Sequence, residues 1–381
     1  MPHLRHNFHV FPGLILLLIC LTAQAALTYW GARLLKARWA RLALYTLSAG
    51  CIAVYCAGYL TLFGQVYIRF SSPLVTWTQA AALLLGVCAT GMTIVGAAVR
   101  SIPFRAERRT ALRAAGAAAL STPALALAFG ILHRDDFRIS EVRVPIPGLP
   151  RDLDGLRLVQ VSDIHLSPFL SEKQLGRAID MANETRPHIA LVTGDLISRL
   201  GDPLDACIRQ IARLHADAGV FGCMGNHESY AGVEDYTAAA AARRGVRFLR
   251  SENTRLRFGN ATLNLVGVDY EPFHSIYLAG AARMMAAGCL NVLLSHNPDV
   301  FPVAAEQGWD LTISGHTHGG QIGVEILRHN VSPARFYTPY VRGLYQVDRV
   351  AGYVSTGLGT VGLPVRLGAP PEVSLIRLCA T

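Results

Sequence analysis

Acidic residues are almost missing from the first third of this chain. Up to Leu132 there is one, Glu107, against eleven Lys or Arg, whereas from His133 onward 25 acids face 24 bases. The net charge of +9 is therefore a property of one segment and not of a folded basic face, which argues against a nucleic-acid binder. Paired cysteines are missing too. None of the eight cysteines forms a CxxC, so no zinc ribbon or redox motif is implied. Cys20, Cys51, Cys56 and Cys88 lie in apolar runs, and Cys207, Cys223, Cys289 and Cys379 are scattered later; small buried hydrophobes account for them. No internal repeat occurs, and low complexity is limited to Ala-rich patches near Ala117 and Ala238.

What the first third does hold is apolar sequence without charge. Four such stretches follow one another: Phe8 to Trp30, Leu42 to Ile68, Leu74 to Val99 and Ala114 to Leu132. Each is near or above the ~20 residues that cross hydrocarbon, so about four transmembrane helices are expected over residues 1–132. The fourth is Ala-rich and contains Gly116 and Pro123, which membrane helices tolerate. Short cytoplasmic loops collect Lys and Arg. The first loop carries Arg33, Lys36, Arg38 and Arg41, and the third Arg100, Arg105, Arg108, Arg109 and Arg113; the tail has Arg5 and the second loop Arg69. Loops one and three are thus read as cytoplasmic, which places the later region on the outer side of the cytoplasmic membrane. A competing reading takes Ala23-Gln24-Ala25 as a leader cleavage site, which would invert that pattern.

Residues 133–150 are polar and carry Pro145, Pro147 and Pro150, and read as a linker to a domain over 151–381. There a short apolar run ending abruptly in polar residues recurs five times: Leu156 to Val161, Ile189 to Thr193, Val220 to Met224, Asn291 to Leu294 and Leu311 to Ile313. Such runs read as buried strands, and the helical pattern Ser171 to Glu184 between two of them gives an α/β arrangement. Functional residues in α/β sheets gather beyond the carboxyl ends of strands, so five polar clusters can meet. They supply seven donors: Asp163, His165, Asp195, Asn226, His296, His316 and His318. Imidazole and carboxylate suit Mn, Fe, Zn or Co. Seven donors exceed one ion with an open position, but fit two ions that share a carboxylate. Two divalent ions against two carboxylates leave about +2, which favours a phosphate-type anion and a bound hydroxide.

In order, Asp163-Ile164-His165, Gly194-Asp195, Gly225-Asn226-His227-Glu228, Ser295-His296-Asn297-Pro298 and Gly315-His316-Thr317-His318 resemble the motif set of the calcineurin-like metallophosphoesterases. "VSDIHL", "GNHE" and "SGHTHGGQ" are similar to its membrane-associated bacterial branch. The resemblance covers roughly Gly155 to Leu378 and not the spans. It implies a four-layer α/β/β/α sandwich. It also implies that Asp163, His165 and His318 hold a first ion and Asn226, His296 and His316 a second, with Asp195 bridging. His227 would then stabilise charge or protonate the leaving alkoxide, oriented by Glu228. Arg342 and Arg366 lie in later loops of family-like sequence as candidate contacts to an anionic substrate. His188, His215, His274 and His329 read as ordinary packed or solvated histidines.

The expected function is a membrane-anchored phosphoesterase or pyrophosphatase acting through a metal-bridging hydroxide on a small or lipid-linked phosphoester. The partners implied are the bilayer and that substrate, with no nucleic acid. A membrane scaffold or sensor that binds a phosphorylated ligand without turnover is the alternative. A transporter is disfavoured, because the proposed spans contain no Asp, Glu, Lys or Arg.

Overall fold

The computed structural model describes residues 7–62, 73–101, 109–272, 275–326 and 329–381. The chain divides into two compact units, the first of residues 1–132 with Gly362–Pro364 and the second of residues 133–361 and 365–381.

The first unit is helical: α1 (Asn7–Leu34), α2 (Arg38–Leu62), α3 (Pro73–Ser101) and α4 (Arg109–Leu132). Three helices, not the expected four, are long and apolar enough to cross a membrane among the described residues: Leu14–Leu34, Arg38–Leu60 and Pro73–Val99. In α4 the described apolar stretch is Ser121–Leu132. The first half of α4 is Ala-rich and begins with Arg109 and Arg113. Polar side chains in α1 and α2 point at one another. Tyr55 donates to Gln24, Gln24 donates to Ser48, and Thr28 lies 2.7 Å from Ser48. Hydroxyl and amide groups in apolar helices need such partners, and the network joins the two helices. Arg5, Arg69, Arg105 and Arg108, which entered the topology expectation, lie outside the described residues, as does His274.

The second unit starts earlier than expected. Residues 133–150 are not a bare linker: they contain β1 (Arg138–Ile146). Val142, Val144 and Ile146 alternate with polar residues along it, which is a strand pattern despite Pro145. Proline is tolerated because β1 is an edge strand, paired on one side only, with β14 (Glu372–Ala380).

Between these follow β2 (Arg157–Val161), α5 (Glu172–Glu184), β3 (Ile189–Thr193), α6 (Leu204–Ile211), β4 (Val220–Cys223), α7 (Asn226–Ala231), α8 (Glu234–Ala242) and β5 (Val246–Phe248). They complete a six-stranded sheet of order β1-β14-β2-β3-β4-β5, parallel from β2 to β5. A second sheet uses β6 (Glu252–Phe258), β7 (Ala261–Gly267), β8 (Leu290–Leu294), β9 (Leu311–Ser314), β12 (Gly343–Val347) and β13 (Val350–Val354). Its order is β12-β13-β9-β8-β7-β6, with β13, β9, β8 and β7 parallel. A hairpin of β10 (Val324–Ile326) and β11 (His329–Val331) stands apart, and α9 (Phe301–Gln307) lies between β8 and β9 in sequence.

The period of two along each strand sorts side chains into layers. Leu158, Leu191, Leu263, Val292 and Ile313 share one buried cluster, the core between the sheets. Val159, Val192, Ile179 and Ile208 form another, under α5 and α6. Leu293, Val300, Ala304 and Trp309 form a third, under α9. The order of layers is helix, sheet, sheet, helix. Gln160 ties the sheets together: its buried amide donates to Thr193 Oγ1 at 2.7 Å and to the Ser314 carbonyl at 2.8 Å.

Candidate metal centre

Each of the seven donors sits just beyond the carboxyl end of a strand. Asp163 and His165 follow β2, Asp195 follows β3, Asn226 follows β4, His296 follows β8, and His316 and His318 follow β9. All five strands are parallel within their sheet, so both sheets present the same end to one place. Contacts between sheets fix the alignment. The Asp163 carboxylate accepts from the His316 backbone N–H at 2.9 Å, and His296 Nδ1 lies 2.6 Å from the Thr193 carbonyl. A carbonyl only accepts, so Nδ1 of His296 carries the proton and Nε2 is left to face the centre.

The backbone is unusual here. Asp163, His165, Asp195, His316 and His318 have φ between 47° and 75°, in the left-handed region that costs non-glycine residues energy. Five strained residues at one spot, all donors, point to a geometry maintained for a ligand. The neighbouring glycines leave room for it: a β-carbon on Gly225 would lie 2.1 Å from Asp195 Oδ1.

Two groups of ligand atoms result, within each of which all lie inside 4.8 Å: Asp163, His165, Asp195 and His318, and Asp195, His296 and His316. Asp195 belongs to both. His165 Nε2 and His318 Nε2 are 3.1 Å apart, and Asp195 Oδ2 is 3.4 Å from His165 Nε2 and 3.1 Å from His296 Nε2. The Asn226 Oδ1 atom is buried without a hydrogen bond. Buried polar atoms without partners are costly unless a ligand takes them up, and converging lone pairs on nitrogen and oxygen fit divalent cations.

Electrostatics agree. Burial alone would raise the Asp195 carboxyl, but His296 and His227 beside it hold it well below the usual range. His296 is burdened by burial, yet Asp195 and Asp163 push it up to about 10. Burial, with His296 nearby, lowers His316 to about 3, and burial also holds His318 well below its ordinary value. His296 thus takes up a positive charge while His316 and His318 stay neutral. A cation entering must displace that proton, because a metal-bound imidazole offers its lone pair. Adding Mn to the metal-free protein at pH 8 is expected to release about one proton per chain, with apparent affinity rising as pH approaches 10. Calorimetry in buffers of different ionisation enthalpy measures it, and zero proton release would contradict this charge assignment.

His227, at the start of α7, lies with its ring 4.7 Å from that of His165. Its Nδ1 is 2.6 Å from the Ser198 carbonyl, so Nδ1 is again the protonated nitrogen and Nε2 is available. Burial lowers its pKa, so it is neutral in the free protein at neutral pH. The expected orienting role of Glu228 is corrected: that carboxylate is fully buried and accepts the backbone N–H groups of Asp195, Leu196 and Gly225. It holds the ends of β3 and β4 together, and the Ser198 carbonyl orients His227.

Arg366 is likewise not a substrate contact. It is 3% exposed and donates to the carbonyls of Gly357, Gly359 and Ala369, tying the loop after β13 to itself. Arg342 is partly exposed, and its guanidinium donates to the Gly368 carbonyl at 2.6 Å. His188 accepts the Arg157 backbone N–H at 2.9 Å, a packing role.

Some site residues carried no motif. Ser198 holds His165 through its hydroxyl at 3.1 Å as well as His227 through its carbonyl, and the Asp202 carboxylate accepts its N–H. Tyr270, whose ring lies 5.7 Å from that of His316, follows the end of β7. The alternating run from Thr262 to Val268, ending in Asp269-Tyr270, is the signal that would have added this sixth strand end.

Comparison with known proteins places these features. A family model described as calcineurin-like phosphoesterase matches residues 156–320. A "transmembrane protein with metallophosphoesterase domain" from Danio rerio is 30% identical over 256 residues, 63% of this chain and 57% of that protein. The uncharacterized protein YpbG of Bacillus subtilis is 30% identical over 229 residues, 59% of this chain and 81% of that protein. Phosphodiesterase YaeI of Escherichia coli is 28% identical over 228 residues, 58% of this chain and 82% of that protein. The chain spans 57% of the length of the transmembrane relatives from Danio rerio and Bos taurus.

Proposed function

Since the chain belongs to the calcineurin-like metallophosphoesterase family, we propose that it is a membrane-anchored hydrolase that cleaves a phosphoester or pyrophosphate bond with two divalent ions. The observation that carries the reading is the pair of ligand groups sharing Asp195. Asp163, His165 and His318 would hold one ion and Asn226, His296 and His316 the other, with Asp195 common to both. When bound, such ions lower the pKa of a water toward ~7 and neutralise charge developing on phosphorus.

The chain's own groups do the rest. Asp163 and Asp195 keep the centre's charge in balance, and Glu228 fixes the loop that presents Asp195. The His227 ring lies 4.7 Å from that of His165, and with its Nδ1–H held by the Ser198 carbonyl its Nε2 is the nitrogen left for proton transfer. An incoming phosphate brings negative charge, which favours a proton on that nitrogen, and the leaving oxygen can take it.

Anchoring rests on the three apolar helices α1, α2 and α3. The outward facing of the hydrolase is proposed from the loop charges together with a fourth crossing at α4. With loops one and three inside, the chain ends outside only if it crosses again at α4, and inside if it does not. A reporter fused after Thr381 separates the two. Activity outside the membrane is the expected result, whereas activity confined to the cytoplasm would limit the chain to three crossings and overturn the outward placement.

A further inference from the structure

An open cleft of about 400 Å³ begins at the candidate metal centre, with His316 and His318 in its wall. Away from those two histidines its lining carries no charge: Ile322, Pro333, Ala334, Tyr337 and Val361 are its apolar members. The volume is in the range of small-ligand sites, ~300–1,000 Å³. The lining residue Tyr337 is 81% exposed, and Phe336 and Val331, near the lining residues Pro333, Ala334 and Tyr337 in sequence, are 90% and 56% exposed. Large aromatic side chains left in water without a partner mark a surface that meets something apolar.

We propose that this cleft receives the hydrocarbon chain of a phosphorylated lipid whose phosphate sits at the metal centre. The proposal rests on the phosphoesterase reading for the phosphate end only. Three features select an amphiphile. The cleft is continuous with two metal ligands, so its occupant must be attached to the group bound there. Polarity changes along it from cationic centre to uncharged wall, matching a molecule with an anionic head and an apolar tail. The same chain carries three helices fit to cross a bilayer, so lipid is the apolar material it meets at highest local concentration. A soluble nucleotide or sugar phosphate would leave Ile322, Pro333, Val361 and the exposed aromatics without a role.

The test uses alkyl phosphonates, which bind without being cleaved. The Mn-loaded full-length protein in lipid nanodiscs is titrated calorimetrically with methylphosphonate and hexylphosphonate. Each buried methylene contributes up to about fourfold, equivalent to about 0.8 kcal/mol, so hexylphosphonate is expected to bind at least tenfold more tightly. Ala334→Trp fills the cleft, and Tyr337→Ser removes apolar surface at an exposed position that tolerates change; in each the hexyl-to-methyl ratio falls toward one. A ratio near one in the unmodified protein, or a ratio unchanged in both variants, would overturn the proposal. Turnover of bis(p-nitrophenyl) phosphate, which has no alkyl chain, judges the phosphoesterase reading separately.

Discussion

Asp195→Asn is expected to lower turnover of any phosphoester by about 10³-fold or more, because several kcal/mol of transition-state stabilisation disappear when metals are lost, at 1.36 kcal/mol per decade. Asp195 is the one residue common to both ligand groups, and its Oδ2 lies within 3.4 Å of two imidazole nitrogens. An amide keeps the shape and removes the charge, so the two groups lose their shared anion together. Bound metal is expected to fall from two ions per chain to one or none, measured by elemental analysis of the purified variant. Retention of two ions with full turnover would show that Asp195 does not bridge. The fold should survive, since the backbone around Asp195 is held by Glu228, which the substitution leaves in place.

His227→Ala should separate substrates by their leaving group. For an alkyl phosphoester, whose alkoxide needs a proton, general-acid catalysis supplies about 10²–10⁴-fold, and that is the expected loss. For a p-nitrophenyl ester, which leaves as a stable anion, the loss should be much smaller. The pH profile adds a second readout. Burial holds the His227 pKa below its ordinary value in the free protein. The protonated form therefore declines as pH rises through a point below 6.5, and kcat/KM for the alkyl ester should fall with it. The variant should lose that limb of the profile. Equal losses for both ester types, with an unchanged profile, would remove His227 from the proton-transfer step and leave it a role in binding.

Most of the centre was legible in the sequence because strands and their ends leave local signals. The run Ile189 to Thr193 reads as a strand from composition, and β3 has those bounds. The donors that follow such runs need only the topological rule that strand ends converge. What the local pattern could not carry was the partition into two sheets: β2, β3 and β4 belong to one and β8 and β9 to the other, and only the family resemblance supplied a sandwich. Roles set by tertiary contact were also out of reach. Glu228 beside His227 in sequence reads as its partner, yet the helical turn carries the carboxylate to the backbone of β3's end instead. Arg366 reads as a phosphate contact and is a buried staple for three carbonyls. Proline composition hid β1, because Pro145 is harmless on an edge strand and the alternation of Val142, Val144 and Ile146 is short.

The membrane part shows the opposite balance. Apolar length is the strongest of all sequence signals, and it placed α1, α2 and α3 well. At α4 the described residues give only Ser121–Leu132 as an apolar stretch, so a fourth crossing rests on the uncharged sequence from Ala114 to Leu132.

Stepwise metal reconstitution of activity is the direct test of a two-ion hydrolytic centre. The full-length protein is stripped with chelator, Mn is added back in known equivalents, and turnover of bis(p-nitrophenyl) phosphate is followed. The stripped protein is expected to show no turnover, and activity to rise on metal addition and saturate at two equivalents per chain. Saturation at one equivalent would contradict the shared role of Asp195, and no turnover at any metal level would contradict the enzyme itself and leave a phosphate-binding membrane sensor.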